Sequence, residues 1–244
     1  MNKNSNTYQI VYAAIMVLLV GSVLAFVYMA LKPKQDENIA NDKRAQILSA
    51  INIESNEAEL KDNFNKYIVA EYIVDDKGEI ADSAANSAFN VNMKSNIKQA
   101  NRVLPVYKSV LADGQVKYIL PVYGAGLWGP IWGYVAVNDD GNTIFGTSFS
   151  HEGETPGLGA RITENEFKAQ FVGKKIMKEG AFKSVEVVKK GQKSLDGADY
   201  VDAISGATIT SRGVGSMIAH CLSSYEPFLK KLAASNNQLN SQEE

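Results

Sequence analysis

The chain has a single cysteine, Cys221, only two histidines, and a net charge of −2 over 244 residues. A lone cysteine excludes an intrachain disulfide, an iron-sulfur cluster and the paired thiolates of a structural zinc site, and Cys221 reads as a small buried apolar residue on a helix face. Two histidines without a dense acidic cluster leave little from which to build a metal centre. His151 and Glu154 form the one pair to weigh, and no metal is expected. Lysine and arginine are balanced by aspartate and glutamate with no long basic run, which speaks against nucleic acid and against a polybasic lipid patch. No Gly-x-Ser-x-Gly elbow surrounds Ser205, and neither histidine has an evident orienting partner. Acyl transfer through Ser205 or Thr208 therefore lacks its base, and no catalytic residue is assigned.

What the sequence does contain begins with an apolar run. No charged residue occurs between Tyr8 and Leu31, and Ile10 to Val20 continues through Val23, Leu24, Phe26, Val27 and Met29. A helix rising about 1.5 Å per residue crosses the hydrocarbon layer in about 20 residues, so this stretch spans once. It is too long for a cleaved leader and runs into Leu31-Lys32-Pro33-Lys34, which makes it an uncleaved anchor. Lys3 on one side and Lys32 and Lys34 on the other nearly cancel as orientation signals. The expected organisation is a short N-terminal segment (1–7), the anchor (8–31), a helical connector (32–66), a globular domain (67–234) and a polar tail (235–244).

Within that frame the periodicity predicts helices over 35–55 and 56–67, the second capped by Ser55, and a strand over 67–74 closed by the Asp75-Asp76-Lys77-Gly78 turn. Residues 81–101, rich in alanine, serine and asparagine, read as a surface excursion. Two hairpins follow, one turning at Asp113-Gly114 and one at Asn138-Asp139-Asp140-Gly141-Asn142. Thr163-Glu164-Asn165-Glu166 has the form of a capping box ahead of Phe167 and Phe171, with Gly173 as the stop. A further strand is expected at Val185–Val188 and a last helix from Ser211, interrupted by Pro227. Hairpins flanked by helices imply an α+β domain with mainly antiparallel sheet rather than a doubly wound nucleotide fold.

Three segments can carry chemistry. Gly124-Ala125-Gly126-Leu127-Trp128-Gly129-Pro130-Ile131-Trp132-Gly133 holds both tryptophans, either folded back on the core or forming a pocket wall for a flat ligand. His151-Glu152-Gly153-Glu154-Thr155-Pro156-Gly157-Leu158-Gly159-Ala160 lets backbone amides approach a ligand, although its glycine spacing is not that of a dinucleotide fingerprint. Asp202-Ala203-Ile204-Ser205-Gly206-Ala207-Thr208-Ile209-Thr210 is a hydroxyl cluster running into a helix, which is either an ordinary cap or a phosphate site at the positive end of the helix dipole.

The pattern Asp202-x-x-Ser205-Gly206-Ala207-Thr208-x-Thr210 resembles the acceptor motif at which a flavin transferase esterifies the phosphate of FMN to threonine. The stretch from His151 to Gly159 is similar to the second signature of the same FMN-binding domain family. With the N-terminal span and Gly126-Leu127-Trp128-Gly129, the resemblance covers essentially the whole chain and points to the C subunits of Na+-translocating NADH:quinone oxidoreductases. The G subunits of Rnf ferredoxin:NAD+ oxidoreductases are the rival family, and a non-redox anchored binding or scaffold domain is the reading of another class. The resemblance implies FMN held by a phosphoester to Thr208, with Thr210 the less favoured neighbour. It also implies that Asp202, Ser205, Gly206 and Ala207 shape the turn or are read by the transferase. Glu154, Thr155, Leu158 and Gly159 would contact the flavin, and Trp128 would flank it. It further implies a bacterial inner-membrane protein with its domain in the periplasm. Such a protein relays electrons toward quinone among the six subunits of the complex, with B, D and E nearest and A and F also present.

Overall fold

The computed structural model describes residues 5–99, 102–194 and 196–240, with 237–240 described as backbone alone. Residues 1–4 of the expected N-terminal segment, Lys3 among them, and 241–244 of the expected tail lie outside the described residues. The chain divides into two compact units, Met1–Lys43 and Arg44–Glu244.

Helix α1, Asn6–Ala50, runs unbroken for 45 residues, so the anchor and the first expected connector helix are one element. Pro33 sits inside it. The proline removes one hydrogen bond of the ladder, but the helix continues, with Lys32 and Asp36 paired one turn apart across that point at 2.6 Å. Among the described residues α1 is the one helix long and apolar enough to cross a membrane, and its apolar stretch is exposed. Its end is set by chemistry the composition does not advertise. Asn52 adopts a left-handed conformation (φ 59°). The Ile53 N–H reaches back to the Leu48 carbonyl and the Asn52 N–H to that of Ser49, each at 3.0 Å, which is a Schellman stop.

The second unit starts with the buried tip of α1 (Ile47, Leu48, Ala50) and helix α2, Leu60–Tyr67. Ser55 does not cap α2. Asn56 Oδ1 accepts the Glu59 N–H instead, and Ser55 accepts from the Asn63 side chain, because the chain takes a turn over 57–59 before the helix begins. Strands β1 (Ile68–Val74) and β2 (Ile80–Asp82) follow, then the one-turn helix α3 (Met93–Asn96) within the excursion. The excursion is fastened rather than loose: Asn96 is buried and exchanges two hydrogen bonds with the backbone of Val103. Strands β3 (Leu104–Val110), β4 (Val116–Ala125), β5 (Pro130–Asn138) and β6 (Ile144–His151) complete a six-stranded sheet of order β2-β1-β3-β4-β5-β6. All neighbouring strands in it are antiparallel.

Side-chain alternation sends Leu120, Val122, Val135 and Val137 to one face of this sheet and Ile119, Tyr134 and Ala136 to the other, and both faces are buried. The tip of α1 and α2 cover the second face. The first is covered by helix α4 (Asn165–Lys168), strands β7 (Met177–Lys178), β8 (Ala181–Phe182), β9 (Val185–Val188) and β10 (Asp199–Asp202), and helix α5 (Thr208–Asn240). β9 and β10 form a small parallel pair.

The expected capping box does not form. Thr163 closes a 3-10 turn, Gly159–Thr163, with its hydroxyl donating back to the Ala160 carbonyl, while Glu166 is drawn off by Arg161 at 2.7 Å. Phe167 and Phe171 nonetheless meet edge to face at 5.5 Å, and both pack on Phe149. Helix α5 starts three residues earlier than expected and passes through Pro227 without stopping. Tyr225, Phe228 and Leu229 are buried on either side of that proline, so core packing holds the helix across the missing hydrogen bond.

Burial pushes the hydroxyls of Tyr107, Tyr134 and Tyr225 well above the ordinary phenol value. The unfolded chain then loses these protons first, so the stability they represent is present below about pH 10 and is lost as pH rises through the folded-state values. The melting temperature should fall as pH rises above about 10, with tyrosinate absorbance rising together with loss of structure. Free titration of these tyrosines in the folded domain would contradict their burial.

Candidate flavin site

The three chemistry-bearing segments meet at one end of the domain. The first proves to be mostly strand: β4 and β5 run up to a turn in which the Gly126 N–H bonds the Gly129 carbonyl at 2.8 Å. The second leaves the end of β6, the strand paired with β5. The third leaves β10 and enters α5, whose first residue is Thr208.

Glu154 ties them together. It is 4% exposed. Its Oε1 accepts the Trp128 N–H of the β4–β5 turn at 2.9 Å, and its Oε2 accepts the Thr210 hydroxyl of the first turn of α5 at 2.6 Å. Its own N–H donates to His151 Nδ1 at 3.2 Å. Two glycines make room for the carboxylate, since a Cβ on Gly126 would collide with Oε1 and one on Gly159 with Oε2.

The hydroxyl cluster is ordered from within. Ser211, fully buried, accepts the Ile204 N–H at 3.0 Å and donates to the Ala207 carbonyl at 2.8 Å, stapling the turn that precedes the helix. Composition does not single out Ser211; a hydroxyl in the first turn of a helix is the signal that points to it. Asp202 ends β10 with its N–H on the Gln170 side chain, and it borders a 410 Å³ cleft shared with Arg161, Lys190 and Ser205. Ser205 and Gly206 are exposed, Ala207 is buried and Thr208 is half-buried. Gly206 has φ 80°, and a side chain there would press on Leu158. Thr155 is exposed on the second loop, where its carbonyl accepts from Leu158 and Ala160.

Two features of this end are those a ligand would use. The N–H groups of Thr208, Ile209 and Thr210 have no acceptor among the described residues and stand at the positive end of a 33-residue helix. Around them Leu127, Trp128, Leu158 and Ile209 are 48%, 68%, 41% and 62% exposed, although large apolar side chains are costly to leave in water. A larger cleft elsewhere on the domain, lined by Asp140, Lys175, Asp199 and Lys230 among others, contains none of these residues.

Residues 126–223 match the FMN-binding domain family. The C subunit of the Na(+)-translocating NADH-quinone reductase of Vibrio parahaemolyticus is 31% identical, over 88% of this chain and 90% of that protein. Its counterpart in Neisseria meningitidis serogroup B is 31% identical, over 97% and 98%. This chain belongs to the family of these C subunits. A solved structure of the C subunit from Parabacteroides distasonis superposes with a TM-score of 0.75 at 47% identity, covering 82% of this chain and 96% of that one. Shewanella oneidensis NqrC superposes with a TM-score of 0.63 at 30% identity, covering 80% and 98%. The α+β, mainly antiparallel fold expected from the sequence is therefore that of this family, and the G-subunit alternative is set aside. In this member of the family the matched region opens at Gly126 in the β4–β5 turn and closes within α5, so it contains the converging parts of all three segments.

FMN suits what is present. Its phosphate matches unpaired N–H groups at a helix N-terminus, and its flat ring matches an exposed apolar rim. Glu154→Ala removes two hydrogen bonds to a buried carboxylate and should lower the unfolding free energy of the cofactor-free chain by about 2–4 kcal/mol. Urea unfolding followed by circular dichroism measures this, and an unchanged midpoint would mean that the clamp contributes nothing.

Proposed function

We propose that this chain is the electron-carrying flavoprotein subunit of a Na+-translocating NADH:quinone reductase, with FMN joined through its phosphate to Oγ1 of Thr208. The observation that carries the attachment site is the contrast between two threonines two positions apart. Thr210 is 1% exposed and its hydroxyl is committed to Glu154. Thr208 is half-buried, is the first residue of α5, and its hydroxyl has no hydrogen-bond partner among the described residues. A transferase can reach the hydroxyl of Thr208 and not that of Thr210.

The remaining residues take their roles from their positions. The N–H groups opening α5 would hold the phosphate, Gly206 would keep the approach clear, and Ser211 holds the turn in shape. Trp128 and Leu158 would flank the ring, while Thr155 and Gly159 would supply close backbone beside Glu154. Asp202, Ser205 and Ala207 form the part of the motif that the transferase reads. Bound FMN supplies one- and two-electron redox chemistry, which the protein tunes through position, burial and electrostatics. A phosphoester leaves the ring free and keeps the cofactor from being lost outside the cytoplasm.

On this reading residues 8–31 cross the bacterial inner membrane with the N-terminus inside, and 67–234 form the periplasmic domain together with the tip of α1 and α2, whose Ile47, Leu48, Leu60 and Phe64 lie in its core. Its partners are the other subunits of the complex, B, D and E nearest and A and F also, and it passes electrons between them toward quinone without itself reacting with NADH. Co-expression with a flavin transferase should give a fluorescent band on a denaturing gel. Thr208→Val should abolish it and Thr210→Val should keep it, with the FMN mass found on the peptide ending at Arg212. A band that survives Thr208→Val would overturn the attachment site.

A further inference from the structure

Glu154 is a buried acid whose hydrogen-bonding neighbours are neutral donors. Its two oxygens accept from the Trp128 N–H and the Thr210 hydroxyl, and no lysine, arginine or histidine forms an ion pair with it among the described residues. Arg161, the cation nearest in sequence, is taken by Glu164 and Glu166. His151 accepts a hydrogen bond from the Glu154 backbone and offers none to the carboxylate. Burial of an acid with hydrogen bonds but no counter-ion is costly, and two glycines are needed to admit it.

A neutral side chain could make the same two bonds. Glutamine would accept the Trp128 N–H through its carbonyl and donate to the Thr210 hydroxyl oxygen through its amide, since a hydroxyl both gives and takes. The negative charge is thus not needed for the clamp, and its position suggests another use. It lies against the first turn of α5, hydrogen-bonded to a residue two positions from Thr208. Electrons added to a flavin tethered there would build negative charge near a fixed one that is itself buried, and a buried charge is screened less than one in water. The helix terminus works in the opposite direction, but it amounts to roughly half a positive charge against one full negative charge.

We propose that Glu154 is a positioning residue with two separable effects: its hydrogen bonds hold the turn, the loop and the helix together, and its charge lowers the reduction potential of the flavin. The second effect rests on attachment of FMN at Thr208. Both effects can be read on the full-length flavinylated chain in detergent, by potentiometric titration of flavin absorbance together with thermal melting. Glu154→Gln should keep FMN and the melting temperature near the parent's. Its reduction equilibrium should shift toward the reduced form by at least about tenfold, about +30 mV for a two-electron couple. Glu154→Ala should lower the melting temperature as well. Thr210→Val, which removes a donor that offsets the charge and leaves the charge in place, should move the potential the other way.

A Glu154→Gln chain that carries FMN at the parent's potential overturns the electrostatic role, and so does one that no longer accepts FMN, because the clamp should survive that change. A parent chain without FMN on Thr208 removes the attachment reading instead. The melting difference between the Gln and Ala variants, measured on cofactor-free chain, still decides the clamp.

Discussion

One carboxylate organises the working end of this domain. Residues 128, 154 and 210 come from a β-turn, a loop and a helix that share no local sequence, and the two oxygens of Glu154 are what they have in common. Neither bond alone would fix a site. Together they set the height of the tryptophan turn over the start of α5, and the turn can come that close because Gly126 and Gly159 present no side chain to the acid. Buried polar contacts of this kind lose little to water and lose much when half satisfied, so the arrangement is either complete or absent.

Helix α5 has two duties. Its body is the main cover for one face of the sheet, through Val214, Ile218, Leu222, Tyr225 and Leu229, while its first turn presents Thr208. The proposed attachment end is thereby rooted in a deeply buried element of the fold instead of a free loop. The Tyr225 hydroxyl, donating to the Pro105 carbonyl at 2.9 Å, ties the same helix to β3 farther down.

Much of this was legible in the sequence, for reasons that differ by element. The hairpins over 104–125 and 130–151 have alternating apolar residues around turn pairs, local signals that the sheet then satisfies. The two signature segments were legible as motifs, and the family they point to is the family found. What sequence alone misjudged are places where tertiary contacts outvote local preference. Pro227 should end a helix, but the aromatic core on both sides holds it in one. Thr163 to Glu166 has the letters of a capping box, yet Arg161 claims the glutamate. β10 is too short and too polar at its ends to be seen until β9 pairs with it in parallel. The Glu154 clamp spans 82 residues from Trp128 to Thr210, a separation that no window of sequence can reveal.

The helix and the sheet also touch where there is almost nothing to compress. Gly213 lies with its Cα facing the Ala125 carbonyl, Gly215 packs on Val187, and Gly124 sits under Met217. Where backbone meets backbone, as at Gly213 and Ala125, there are no rotamers to exchange, so this seam has few ways to relax when the charge on a bound group changes. A carrier that cycles between oxidation states gains from such stiffness: little nuclear rearrangement accompanies each electron, and the transfer in either direction meets a lower barrier.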